Sequence, residues 1–415
     1  MIRRNLTQTL LEALSDNPVV LLNGARQTGK STLVQQLADK TYPARYLTHD
    51  DATVLAAARQ DPSGFLSGLE TPVILDEVQR APELFLAIKA AVDRRRRPGQ
   101  FLLTGSANAL LLPRLSESLV GRMEILTLWP FSQGELEKVR DRFVDTVFAS
   151  SLSSFHDRSF DKAKLIQRMQ TGGYPEAVAR AAAARRDAWF RSYITTLMQR
   201  DVRDLANIEH LTALPRLLAL LATRAAALLN FTELSRSLGL PQSTLKRYMT
   251  LLEMTFLYQP LPAWSANLGK RLVKAPKIIL NDTGLVAHLL GLSQERIESE
   301  SMLLGPLLEN FVVMELRKQI GWSARPPQLF HFRAQTGQEV DLLLEDAAGR
   351  VVGVEVKASS TLSSHDFKGL RFLREALGKR FLRGFVLCLG QESVPFGPDL
   401  QAMPVSALWR LGGSN

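Results

Sequence analysis

The stretch Val19–Leu33, VVLLNGARQTGKSTL, constrains this chain more than any other. Four apolar residues lead to Asn23. Gly24, Ala25, Arg26, Gln27, Thr28, Gly29, Lys30 and Ser31 follow at the G-x-x-x-x-G-K-[ST] spacing, and Thr32 and Leu33 open a helical pattern. Glycines let such a loop curl so that successive N–H groups point inward at phosphates, and the helix behind it adds its positive N-terminal end. Lys30 then reaches the β- and γ-phosphates of ATP, and the Ser31 hydroxyl holds Mg²⁺. Val19–Asn23 is apolar on both faces, as a central parallel strand should be.

Three later stretches fit the same kind of site. Pro72–Glu77 ends an apolar run in two adjacent carboxylates, which puts Asp76 at the carboxyl end of a buried strand, where nucleotide sites of open α/β sheets lie. Asp76 is placed to support Mg²⁺ through its water shell, and Glu77 to orient and deprotonate the attacking water. Phe101–Thr104 reads as another buried strand, followed by Gly105, Ser106, Ala107 and Asn108. Thr104, Ser106 and Asn108 are candidates for sensing the γ-phosphate, with Ser106 preferred. Arg122 follows Gly121, and Met123–Leu128 closes the sheet; Arg122 is either an arginine finger, in cis or in trans, or a member of a surface ion pair. The expected fold here is a doubly wound parallel sheet of the additional-strand P-loop type.

At 415 residues the chain exceeds one ordinary core, and about 150 residues per domain suggests two to four domains. A net charge of +10 favours polyanionic partners, so nucleic acid enters as a candidate. The single cysteine, Cys388, permits no internal disulfide, as expected in a reducing compartment. The N-terminal stretch lacks the apolar block of a signal peptide, and no apolar run approaches about 18 residues. A cytoplasmic protein without a membrane partner is expected.

We divide the chain into an ATPase domain (1–135), a helical connector (136–210), a winged helix-turn-helix domain (211–290) and a small C-terminal α/β domain (300–415). Leu211–Leu229 reads as a leucine- and alanine-rich helix pair. In Phe231–Tyr258, Thr232 is placed to cap a first helix, Gly239 to make the turn and Pro241 to open a second helix. Leu245, Tyr248, Leu251 and Leu252 then face the core. Gln242, Ser243, Lys246, Arg247 and Thr250 face outward, a set suited to DNA phosphates and base edges. Winged helices also dock proteins, so both partners stay open here.

In the C-terminal domain a helix over Pro306–Lys318 carries Glu309, and strands follow at Leu329–Ala334, Glu339–Leu344 and Val351–Lys357. Asp341 precedes Glu355 by 14 residues, a hairpin's span, and Glu355 and Lys357 share a strand face. Glu309, Asp341 and Glu355 are oxygen donors of the kind that hold Mg²⁺ or Mn²⁺, and Lys357 is placed to orient water or stabilise charge on a scissile phosphate. The pattern resembles the PD-(D/E)xK nuclease core; the alternative is a nuclease fold kept as a DNA- or protein-binding module.

GARQTGKST, VILDEVQ, FLLTGSAN and LVGRMEILTLWPFSQGE, in this order and spacing, resemble the AAA-type (AAA_14) ATPase domain of prokaryotic proteins that carry a C-terminal DUF4143 region. GGYPEA, YITTLMQRDVRDL, GKRLVKAPKIILNDTGL and LLENFVVMELRK resemble the same family. The resemblance implies an ATPase whose C-terminal region is similar to the PD-(D/E)xK nuclease fold. Together the readings point to a Mg²⁺-dependent ATPase working on DNA as a homo-oligomer, of which a hexamer is one form, with the C-terminal domain binding or cutting nucleic acid. The alternative is a signalling or protein-remodelling ATPase whose winged helix and C-terminal domain bind a protein partner.

Overall fold

Val19–Asn23 forms strand β1, and all five of its residues are buried. In the computed structural model, which describes residues 2–106, 119–152, 154–205, 213–267, 269, 271 and 274–412, it is joined by four parallel strands. These are β2 (Arg45–Thr48), β3 (Val73–Asp76), β4 (Phe101–Gly105) and β5 (Met123–Thr127), in the order β2-β3-β4-β1-β5. Because β4 lies between β1 and β3, the phosphate-loop strand and the acidic strand are one strand apart. This is the additional-strand arrangement expected from the sequence. β1, β3 and β4 are buried throughout, whereas the edge strand β2 is only partly covered. The helix Leu84–Arg94 turns Leu84, Phe85, Ile88 and Val92 into the core that contains Val73, Leu75, Phe101 and Leu103. Each such side chain contributes roughly 1.5–3 kcal/mol on burial.

The chain divides into two compact units, Met1–Phe131 with Leu252–Leu257, and Ser132–Leu251 with Tyr258–Asn415. In the second, the leucine-rich segment departs from expectation: the structure describes one helix, Ala213–Ala222, and then a turn. Ala226 takes a positive φ of 63°, and its N–H donates to the Ile278 carbonyl at 2.7 Å, so the backbone pairs with a distant strand where a second helix was expected. The helix-turn-helix is present as Phe231–Leu238, a left-handed Gly239 and Gln242–Met254. Its first cap is Asn230 instead of Thr232, with Asn230 Oδ1 accepting from the Glu233 N–H at 3.1 Å. Strands β6 (Tyr258–Leu261) and β7 (Lys277–Leu280) then pair antiparallel.

The helix Ser301–Ile320 precedes a mixed sheet of β8 (Gln328–Arg333), β9 (Glu339–Glu345), β10 (Val351–Val356), β11 (Phe381–Cys388), β12 (Val394–Pro395) and β13 (Leu400–Pro404). The spatial order is β12-β13-β11-β10-β9-β8, with β8, β9 and β10 antiparallel and β10, β11 and β13 parallel. Among the described residues, no helix is long and apolar enough to cross a membrane.

Two of the motifs that carry the family resemblance meet in space. Gly172 ends the helix Lys162–Thr171 at φ 70° and ψ −166°, a conformation confined almost wholly to glycine. A Cβ there would stand 2.0 Å from Asp282 Oδ1. Asp282 is buried; it accepts from the Gly173 N–H at 2.7 Å and caps the helix Thr283–Leu290 through the Leu285 N–H at 3.1 Å. Asn281 donates to the Tyr174 hydroxyl, 2.8 Å away, and that hydroxyl also bonds Tyr193 at 3.0 Å. GGYP and NDTG are therefore one packing unit. Gly172→Ala is expected to destabilise the protein by about 3 kcal/mol, from backbone strain plus the displaced cap. Urea unfolding reads this directly, and an unchanged midpoint would refute it.

Candidate functional site

At Gly24 the backbone takes φ 145°, and a Cβ would stand 2.3 Å from the Leu128 carbonyl oxygen, so the first loop position accepts only glycine without backbone movement. Gly29 precedes the helix Lys30–Lys40, whose N-terminus faces the loop. Lys30 is 4% exposed, and its Nζ donates to the carbonyls of Gly24 and Ala25 at 2.9 Å each. The curl is braced from the N-terminus. Arg4 donates to the Thr28 carbonyl at 2.8 Å and to the Trp129 carbonyl at 2.5 Å, and its guanidinium lies 4.7 Å from the Phe131 ring centre. Thr28 Oγ1 in turn donates to the Ala25 carbonyl at 3.0 Å.

Asp76 ends β3, buried and surrounded by hydroxyls. Ser31 Oγ lies 3.1 and 3.0 Å from its two carboxylate oxygens, Tyr46 donates to Oδ2 at 2.7 Å, and Thr104 Oγ1 donates to Oδ1. Burial, with Asp76 alongside, raises the Tyr46 phenol above its usual value, so it stays protonated and donating. His49 Nδ1–H donates to the Asp76 carbonyl at 2.8 Å, and burial lowers the His49 ring below its usual value, which keeps it neutral. Glu77 comes next, at φ 55° and ψ 44°, a left-handed conformation rare for a residue with a side chain and common where strain serves function. Its N–H donates to Thr104 Oγ1 at 3.1 Å. Its carboxylate accepts from Gln79 Nε2 and, at 3.1 Å, from Ser106 Oγ, and Gln79 Nε2 also lies 2.9 Å from Ser106 Oγ.

The structure thus brings together Lys30, Ser31, Asp76, Glu77, Thr104 and Ser106, all named from the sequence. Ser31 and Asp76 are a hydroxyl and a carboxylate 3.0 Å apart at the start of the loop's helix, a donor pair that fits Mg²⁺ held with a nucleotide. Asn108 lies outside the described residues. Arg122 stands apart, paired with Asp93 through Nε at 2.5 Å and Nη2 at 3.0 Å. Sequence reasoning passed over Tyr46, His49, Gln79 and Arg4. Gln79 could have been found in the quoted VILDEVQ, where an amide two residues after the paired carboxylates is the one polar group that can reach back.

In the C-terminal domain Glu309, Asp341, Glu355 and Lys357 also come together. Lys357 Nζ donates to Glu355 Oε1 at 2.8 Å, the Asp341 N–H donates to Glu355 Oε2 at 3.4 Å, and the Val356 N–H donates to Asp341 Oδ2 at 3.0 Å. Burial pushes the Glu309 carboxyl up to about 8 and the Glu355 carboxyl up to about 7, with Asp341 adding to both. One residue in the cluster was not foreseen. Lys277, the first residue of β7, places Nζ 2.5 Å from Glu309 Oε1 and 3.2 Å from Asp341 Oδ1. The expected Mg²⁺ or Mn²⁺ ligands Glu309 and Asp341 are thereby bridged by an ammonium. Among the described residues, no group of three or more His, Cys, Asp and Glu is arranged to hold a metal ion.

On the helix Gln242–Met254, Gln242, Ser243, Lys246 and Arg247 are exposed, while Leu245, Tyr248, Leu251 and Leu252 are buried, as the pattern predicts. Lys246 Nζ lies 5.8 Å from the Phe231 ring centre, and Gln242 donates to Thr232 at 3.2 Å.

Fold and site together define a P-loop ATPase of the AAA type. The AAA domain family AAA_14 matches residues 16–137, DUF4143 matches residues 304–408, and DUF8612, a domain of unknown function, matches residues 162–296. The uncharacterized protein Rv2008c of Mycobacterium tuberculosis is 33% identical over 412 residues, spanning 99% of this chain and 85% of that protein. The uncharacterized protein Mb2031c of Mycobacterium bovis matches to the same extent. An uncharacterized protein of Haemophilus influenzae is 22% identical, over 92% of this chain and 93% of that protein. The chain belongs to this family of AAA-type proteins with a C-terminal DUF4143 region. Among solved structures, the Walker-type ATPase PABY2304 of Pyrococcus abyssi is similar with a TM-score of 0.43 at 16% identity, covering 70% of this chain and 96% of that one.

Proposed function

We propose that the protein hydrolyses ATP with Mg²⁺ at the loop Gly24–Thr32 and applies the energy to DNA. The observation that carries the hydrolytic part is the pinned pair at the end of β3. Asp76 faces Ser31 across 3.0 Å, and Glu77 is fixed through its backbone by Thr104 and through its carboxylate by Gln79 and Ser106. Lys30 exchanges its two carbonyl partners for the β- and γ-phosphates, and Ser31 and Asp76 are the residues that would hold Mg²⁺, which when bound would offset the negative charge of those phosphates. Glu77 takes the proton of the attacking water. Ser106 relays the state of the γ-phosphate to Glu77. Arg122 acts as an arginine finger in a homo-oligomer, a hexamer being one form. It must first leave Asp93, and an exposed pair of that kind is a weak hold.

The DNA part is supported by the +10 net charge and by the four exposed polar residues at the start and along one side of the helix Gln242–Met254. Phosphate contacts predict that duplex affinity falls linearly with salt on logarithmic axes. Replacing Lys246 and Arg247 together by alanine is expected to reduce that slope by about 2, one for each lost phosphate contact. Fluorescence anisotropy on labelled duplex, with and without ATP, measures both. If the protein ignores DNA at low salt both with and without ATP, the reading fails. The winged helix is then a protein-docking element of a signalling or remodelling ATPase.

A further inference from the structure

The geometry points to Lys277 as the resident cation of the C-terminal carboxylate cluster, standing where a divalent metal would have to sit, so that this nuclease-like domain holds no metal and cuts no strand. This goes beyond the ATPase reading and does not depend on it.

Lys277 opens β7, and its side chain is only 11% exposed. Its ammonium touches one oxygen of Glu309, from the helix Ser301–Ile320, and one of Asp341, from β9. Those two carboxylates converge on a single point. A Mg²⁺ or Mn²⁺ shared by them would have to lie about 2.0–2.2 Å from each oxygen, in the volume that Nζ fills. Three further oxygens are also engaged: Asp341 Oδ2 accepts from the Val356 N–H, and the two oxygens of Glu355 accept from Lys357 Nζ and the Asp341 N–H.

Charge leads to the same conclusion. Counted fully ionised, as metal ligation requires, three carboxylates and Lys357 alone would sum to −2, which a divalent ion balances. With Lys277 the sum is −1, and adding the ion would leave the partly buried cluster at +1. A buried carboxylate pair must be neutralised by something. Here a covalently attached ammonium does it at no entropic cost of capturing an ion.

The test counts bound Mn²⁺ by electron paramagnetic resonance on the full-length protein without nucleotide. Wild type and Asp341→Asn are expected to bind the same number of ions, and neither is expected to nick supercoiled DNA in Mg²⁺ or Mn²⁺. Lys277→Met is expected to gain about one Mn²⁺ per chain, lost again in Lys277→Met/Asp341→Asn. An ion bound by wild type and lost in Asp341→Asn overturns the inference, as does nicking that Asp341→Asn removes. A folded Lys277→Met protein that gains no ion also overturns it. Should Lys277→Met fail to fold, the comparison of wild type with Asp341→Asn still decides.

Discussion

Glu77→Gln is expected to bind ATP as wild type does and to hydrolyse it at least about a hundredfold more slowly, the range in which removal of a positioned general base falls. The amide keeps the size of the carboxylate and an oxygen for the Gln79 and Ser106 donors, so the left-handed turn at φ 55° and the Thr104 contact survive. It cannot accept a proton from water. Binding rests on other atoms, the N–H groups of the loop and the Lys30 ammonium, which donates to the carbonyls of Gly24 and Ala25. The measurement pairs nucleotide retention after gel filtration with steady-state phosphate release. Turnover within a few-fold of wild type would remove Glu77 from the role of base, and loss of ATP binding would show that its part is structural.

What the sequence revealed and concealed divides by the distance over which each feature is built. The loop Gly24–Ser31 was legible because eight consecutive residues contain its chemistry, and the strands β1 and β3 because a buried parallel strand is apolar on both faces. The hydroxyl shell of Asp76 was only partly legible. Thr104 reaches it because β4 is inserted beside β3, and Tyr46 because β2 pairs with β3 on the other side, so both depend on strand order. The turn after Ala222 was missed for a related reason: a helix-forming composition lost to pairing with β7, whose residues lie some 50 positions away. Gly172 looked like a turn residue, whereas its constraint comes from Asp282. Lys277 was hardest to see. A single lysine before the apolar Ile278–Leu280 resembles the solvated start of a strand, and only tertiary contacts to Glu309 and Asp341 give it another meaning.

Lys277→Met is also expected to lower stability by about 3–5 kcal/mol at pH 10, because removing one partner leaves buried carboxylates without their cation. Methionine keeps most of the aliphatic stem, so lost packing accounts for little of this. The pH dependence separates charge from packing. Burial, with Asp341 beside it, already holds the Glu309 carboxyl at about 8, against its ordinary 4.5. Without the ammonium the carboxyl moves higher still. An acid whose folded value is raised binds its proton more tightly in the native state than in the unfolded one. Its contribution is therefore complete below about 4.5 and is lost as the pH climbs through the folded value. The deficit of Lys277→Met relative to wild type should thus be greatest above pH 8 and shrink toward pH 5, where protonated Glu309 no longer needs a cation. Adding Glu309→Gln should restore part of the loss at pH 10, although Glu309→Gln alone removes a partner from Lys277 and destabilises. Urea denaturation at pH 5 and pH 10 measures all four proteins. Equal deficits at the two pH values, with no recovery in the double variant, would mean that the lysine serves through its stem and that the carboxylates do not depend on its charge.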